Sequence, residues 1–155
     1  MAEAGRVIRL AGKKDWGPLC VLYDQILGKE NGRWTPLTME DVCKTGLGLL
    51  AEEEHTKDLL GFILLQVVED ESEILAFGVT EEKQGQGIGK DLLTASQKLL
   101  KERNIKRLFL EVSDERTVAQ NLYKRVGFET IGLRKKYYKC IDNKFFDAIV
   151  MLCNL

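Results

Sequence analysis

The stretch Gln84-Gly85-Gln86-Gly87-Ile88-Gly89-Lys90 constrains this chain more than any other. It follows an apolar run, residues 74–79, and opens a long amphipathic segment that begins near Ile88. That order is strand, glycine loop, helix N-terminus. Glycines at alternate positions strip the side chains from one face of the loop. The bare backbone N–H groups then close around an anion, and the helix dipole adds a partial positive charge. The ligand predicted here is a phosphate or a pyrophosphate.

The flanking segments say what carries this loop. Leu92, Leu93, Ser96, Leu99 and Leu100 form a helix stripe that runs to about Arg103, and residues 106–112 read as a strand. Strand, helix and strand make a parallel βαβ unit, which needs such a crossover. Upstream, residues 6–11 alternate as a first strand. Residues 15–27 place Trp16, Leu19, Cys20, Tyr23, Ile26 and Leu27 at helical spacing. Residues 28–36 read as an irregular loop, and Thr38 with Asp41 as the capping end of a short helix that stops near Gly46. Residues 47–53, 59–69 and 73–79 read as an antiparallel meander, with polar turns at 54–58 and 70–72. Downstream, residues 117–126 form a helix closed by Gly127. Residues 128–139 and 144–152 are strands joined around Asp142-Asn143. The fold class expected is α/β with a mixed sheet: a central, mostly antiparallel sheet, one parallel βαβ unit, and helices on both faces. The crevice in such a sheet lies beyond the carboxyl ends of the parallel strands. The glycine loop and Glu111 both fall there.

The chain has 155 residues, which fits a single domain over 1–155. A net charge of −1 and the lack of a long basic block argue against non-specific nucleic-acid binding. Cys20, Cys43, Cys140 and Cys153 are scattered without a CxxC, and His55 is the one histidine. This pattern argues against a metal site and for free thiols in a reducing, cytoplasmic compartment. The first ten residues include Glu3, Arg6 and Arg9 and lack the apolar core of a signal peptide. No run reaches the length of a membrane span.

Two phosphate-binding fingerprints fail against the loop. GxGxxG would need a glycine at Lys90. GxxxxGK[ST] would need a glycine at Gln84 and a hydroxyl residue at Asp91. The remaining pattern, Q-x-x-G-x-G on Gln84, Gly87 and Gly89, resembles the acetyl-CoA pyrophosphate loop of the GNAT superfamily of N-acetyltransferases. Further segments follow in order: Leu110-Glu111-Val112, then residues 122–128 (LYKRVGF), residues 132–138 (GLRKKYY) and residues 147–151 (DAIVM). This series is similar to the RimI-like (ribosomal-protein alanine N-acetyltransferase) branch. The resemblance covers residues 74–151. In the first half only Trp34-Thr35 resembles the family.

The resemblance implies an acetyl-CoA-dependent N-acetyltransferase with no metal. Its partners would be acetyl-CoA and a primary amine, foremost a protein N-terminal α-amine, with no nucleic acid and no membrane. A small-molecule amine acceptor and a non-catalytic acetyl-CoA-binding module are the alternatives. Acetyl transfer must hold the cofactor, take a proton from the amine and protonate the departing thiolate. Residues 84–90 (Gln84, Gly85, Gln86, Gly87, Ile88, Gly89 and Lys90) would hold the pyrophosphate. The backbone of Phe77, Gly78 and Val79 would bind the pantetheine arm like an added strand, with Gly78 allowing a bulge or a close approach. Glu111, on the strand face opposite Leu108 and Leu110, matches the family's proton acceptor, and partial burial would raise its pKa. A solvated strand end is the plainer reading of that residue. Tyr123, on the stripe with Val118, Ala119, Leu122 and Val126, matches the family's proton donor; a core aromatic is the plainer reading. Tyr137, Tyr138 and Trp34 would touch the acceptor, and each could equally be a packing residue.

The chain departs from the branch at Glu115-Arg116, where Ser-Asn is usual. Arg116 would take over a cofactor contact or simply open the helix, with Ser113 or Asp114 as alternative caps. The acidic run 52–54 reads as a solvated strand end, and His55 as an exposed turn residue.

Overall fold

The computed structural model describes residues 5–31, 36–139 and 145–155. Their elements run β1 (Arg6–Leu10), α1 (Trp16–Asn31), α2 (Pro36–Thr45), β2 (Gly46–Glu53), β3 (Leu59–Val68), β4 (Glu71–Val79), α3 (Ile88–Glu102), β5 (Arg107–Ser113), α4 (Thr117–Arg125), β6 (Glu129–Lys139) and β7 (Phe145–Asn154). The seven strands form one sheet in the order β1-β2-β3-β4-β5-β7-β6. Every neighbouring pair is antiparallel except β4 and β5, which are parallel across the α3 crossover. The mixed sheet and its single βαβ unit are as the sequence predicts.

Strand alternation sends side chains to two cores. Leu50, Phe62, Leu64 and Ala76 pack under α1 and α2 against Leu19, Tyr23 and Met39. Leu49, Ala51, Ile63, Leu65, Leu108, Leu110 and Val112 face the other way, against Ile88, Leu92, Leu93 and Leu100 of α3 and Tyr123 of α4. Helices therefore cover both faces.

One irregularity decides what β4 shows to each face. Its register with β3 steps from Leu65↔Ile74 to Leu64↔Ala76, so Leu75 is an extra, bulged residue. Before the bulge Ile74 faces the α3 core; after it Ala76 faces α1 and α2. Without the bulge Ile74, Ala76 and Gly78 would share one face. The bulge thus lies three positions before Gly78. Gly78 is closely packed on the α1 side, where a Cβ would lie 2.6 Å from Ile26 Cγ2.

Several local expectations are corrected. Helix α1 continues through residues 28–31, which read as loop. A single glycine costs a helix only about 1 kcal/mol, too little to end it. Helix α2 begins at Pro36, so Thr38 lies inside it and is not its cap. Proline suits the first turn because its fixed φ is already helical and its missing N–H has no partner to lose. The strand β4 starts at Glu71, two residues early, after a turn in which Glu69 takes φ +55°. Helix α4 opens at Arg116 without a side-chain cap, and Ser113 Oγ accepts from the Glu115 amide instead. The turn at Asp142-Asn143 lies outside the described residues.

The acidic run closes β2 with Glu54 exposed, as expected, but Glu52 and Glu53 are engaged. Arg9 donates to Glu52 at 2.7 Å and to both oxygens of Asp15 at 2.8 Å, joining β1, β2 and the turn into α1. Glu53 accepts the amides of His55 and Thr56. Asp15 is only 5% exposed, and also accepts from the Gly12 amide. The Arg9 guanidinium holds its carboxyl below the usual range. A depressed folded pKa gives stability that is present above about pH 4, the unfolded value, and is lost as pH falls through the folded value. Asp15→Asn should therefore lower the urea midpoint at pH 7. The gap to the unsubstituted protein should narrow at pH 3. A Gly46→Ala change should cost about 1–3 kcal/mol in the same unfolding assay. Its Cβ would collide with the Leu65 backbone carbonyl.

Candidate active site

The glycine loop sits where the carboxyl end of β4 turns into α3. Gly85 and Gly87 take φ of +78° and +85°, a region that side-chain-bearing residues rarely enter. Gly87 is the N-cap of α3 and offers no side chain to the first-turn amides. The Asp91 amide bonds back to the Gly87 carbonyl, which leaves the amides of Ile88, Gly89 and Lys90 without an intrahelical acceptor. Gly89 serves packing instead. A Cβ there would lie 3.2 Å from Phe77 and 3.3 Å from Leu122. Ile88 contributes its backbone to the loop while its side chain is core. Gln84 reaches back and donates to the Val79 carbonyl at 3.2 Å. A cradle of uncapped amides with exposed Lys83 and Lys90 beside it suits a pyrophosphate.

An arginine that sequence reasoning passed over supports this loop from behind. Arg6 of β1 donates to the Asp91 carboxylate at 2.9 Å and to the Gln86 carbonyl at 3.1 Å, and its side chain is 8% exposed.

Beside the loop the sheet opens. The ladder between β4 and β5 covers only Glu71↔Arg107, Ser72↔Leu108 and Glu73↔Phe109. Beyond it β4 keeps its bonds to β3 and β5 keeps its bonds to β7. The edge of β4 that faces β5, from Ile74 to Val79, therefore has no ladder partner among the described residues. Phe77, Gly78 and Val79 lie along this edge, and a 3-10 turn over Glu81–Lys83 joins it to the loop.

Tyr123 and Glu111 flank the gap on opposite faces. Tyr123 is buried on the α4 side, with its ring centroid 6.0 Å from Phe77 and 5.8 Å from Phe128. Glu111 points to the other face, away from Leu110 and Val112, and its side chain is 21% exposed. Arg134 of β6 donates to it at 2.7 Å. On that face a groove of about 280 Å³ is lined by Gln66, Val68, Glu73, Phe109, Glu111 and Val150, among others. Glu73 is exposed as a residue, yet partial desolvation against the groove pushes its carboxyl above the usual range, and the charge of Glu111 adds to it; Arg134 pulls the other way. Glu73 and Arg134 were missed as site residues. Both sit at plain strand positions, and only the sheet order brings them to Glu111.

Arg116 is exposed at the head of α4. Tyr137 and Tyr138 lie on β6, where Tyr138 pairs in register with Phe146; their side chains are not described. Trp34 lies outside the described residues. His55 is exposed in its turn. Cys20, Cys43 and Cys153 are free thiols. No helix among the described residues is long and apolar enough to cross a membrane.

The fold is shared with known proteins. The chain belongs to the acetyltransferase (GNAT) family, whose model matches residues 21–128. The [ribosomal protein bS18]-alanine N-acetyltransferase of Haemophilus ducreyi is 38% identical over 94 residues, which cover 61% of this chain and 65% of that one. Its counterpart in Haemophilus influenzae is 35% identical over 101 residues, covering 65% and 68%. The match thus spans about two thirds of the length of these relatives. The crystal structure of the ribosomal-protein-S18-alanine N-acetyltransferase from Escherichia coli superposes with a TM-score of 0.85 at 25% identity, over 96% of this chain and 93% of that one.

The loop geometry generates a test that needs no ligand. Arg6→Ala removes the support of the Gln86 carbonyl and of Asp91. Loss of charge-assisted bonds of this kind costs about 1.5–3 kcal/mol. Amides of residues 84–91 should exchange with deuterium at least about tenfold faster, while those of β6 and β7 keep their rates.

Proposed function

We propose that this chain is an acetyl-CoA-dependent N-acetyltransferase that acetylates a primary amine, foremost a protein N-terminal α-amine, by direct attack in a ternary complex. The observation that carries the reading is the unpaired edge of β4 leading into an uncapped helix N-terminus. Backbone donors in that order suit an amide-bearing arm that ends in a pyrophosphate.

Bound acetyl-CoA supplies an acyl group activated as a thioester. The chain's own residues supply the rest. Amides of residues 84–90 hold the pyrophosphate, and Arg116 meets the phosphate-bearing arm. The backbone of Phe77, Gly78 and Val79 hydrogen-bonds the pantetheine amides, as an added strand would. An N–H group of the same edge polarises the thioester carbonyl, as in an oxyanion hole. Glu111 takes a proton from the amine directly or through one water. Tyr123, whose phenol stays protonated near neutral pH, protonates the leaving thiolate. The opposite placement of these two groups suits the reaction, since the amine and the thiolate lie on opposite sides of the acyl carbon.

The acceptor reading draws on the relatives, whose names specify the alanine of a ribosomal protein. It also draws on acid–base chemistry. An α-amine, with a pKa of about 7.7–8.0, is partly neutral near pH 7, whereas lysine is about a thousandfold protonated. Tyr137, Tyr138 and Trp34 contact the first residues of the acceptor in this proposal. A single domain working in the cytoplasm completes it.

Glu111→Gln and Tyr123→Phe should each lower kcat/KM by about 10²–10⁴-fold with acetyl-CoA binding retained. Intact-mass and fragment mass spectrometry of an acceptor peptide should put the acetyl group on the α-amine. Unchanged turnover in both variants would sink the assignment of these two roles.

A further inference from the structure

We propose that Glu73 is a second working carboxylate of the acceptor groove: it docks the incoming ammonium and takes its first proton, and Glu111 takes the second. The proposal rests on the acetyl-transfer reading and specifies the acceptor as a cation.

Proton balance calls for two acceptors. An α-amine reaches the groove mostly as an ammonium. One proton must leave before the nitrogen has a lone pair. A second leaves as the nitrogen–carbon bond forms and the carbon–sulfur bond breaks. Tyr123 returns one proton to the thiolate, so each turnover releases one proton to solvent. A single carboxylate would have to discharge between the two steps. Two carboxylates on one face divide the work, and the one open to solvent is suited to release.

The geometry supplies that pair. Glu73 is opposite Phe109 in the parallel register, and Glu111 is the next residue of β5 on the same face. Both line the groove, and the charge of Glu111 acts on Glu73. The pair is not equivalent. Arg134 is bonded to Glu111, whereas the Glu73 carboxylate accepts no hydrogen bond among the described residues. Glu71, also in the groove lining, is matched by Arg107 at 2.7 Å. Once these pairs are made, Glu73 carries the negative charge left in the groove among the described residues. Gln66 from β3 and Val150 from β7 add none. That remaining charge complements one ammonium. The raised Glu73 pKa makes it a stronger base than an ordinary surface carboxylate.

The sign of the pH effect follows. Glu73 must be ionised to dock the ammonium, so its raised pKa sets the acidic limb of kcat/KM. Removing the Glu73 carboxylate removes the group that sets it, and the limb should move to lower pH. The test uses the whole chain, acetyl-CoA and a lysine-free peptide beginning with alanine. Glu73→Gln should raise the peptide KM about tenfold or more and shift the acidic limb downward. The KM for acetyl-CoA and the thermal midpoint should stay the same, because no hydrogen bond to the Glu73 carboxylate is lost among the described residues. Glu73→Asp, which keeps the charge, should recover most of the peptide binding. An unchanged peptide KM with an unmoved acidic limb in Glu73→Gln overturns the inference and leaves the acetyltransferase reading standing. Failure of the unsubstituted protein to acetylate any amine overturns both.

Discussion

The parting of β4 from β5 is the constraint on which the rest of the structure depends. The two strands are joined only where they begin. Three register pairs hold them, together with a 2.6 Å bond from the Lys106 amide to the Asp70 carbonyl. The Glu71–Arg107 bridge at the same place is nearly half exposed on both sides and adds little. What keeps the halves together is burial on the α3 side, where Ile74, Leu108 and Leu110 share a core with Leu93 and Leu100. Each half is then complete through its outer partner, β3 on one side and β7 on the other. The sheet can open between them without leaving either strand alone.

The bulge at Leu75 falls two residues after the last paired position, Glu73. It reverses the faces of β4 within the segment that borders the gap. Glu73, before it, looks into the groove with Glu111. Phe77, after it, packs toward Tyr123 and Gly89. One inserted residue thus lets a single strand line the groove with its first half and pack toward α4 with its second. The two faces differ in chemistry as well. The α4 side is aromatic and buried. The groove side is charged and open to solvent.

Much of this was legible in the sequence, for identifiable reasons. Gly85 and Gly87 are glycines because the loop needs positive φ there, and Gly89 because Phe77 and Leu122 lie close. A requirement of that kind leaves a spelling. The β5 alternation of Leu108, Leu110 and Val112 likewise announced the face on which Glu111 stands. Other features left no such mark. The run Ile74, Ala76, Gly78 alternates as cleanly with a bulge at Leu75 as without one. The meeting of Arg134 with Glu111 depends on β7 lying between β5 and β6. That order is reached only because the last strand returns to the middle of the sheet. Helix α1 overran its glycine because propensity at one residue is weaker than continuation of the turn before it.

The Arg6 tether has a consequence for how the protein comes into being. Its contact with Asp91 spans 85 positions of the chain. Contacts of such separation form late, since the entropy of closing a long loop must be overcome first. The glycine loop therefore cannot take its final shape while the chain emerges. It waits for the first strand to find the edge of the sheet. Ligand competence would then arrive near the end of folding, and a partly assembled chain would hold its substrate poorly even with every residue of the loop already made.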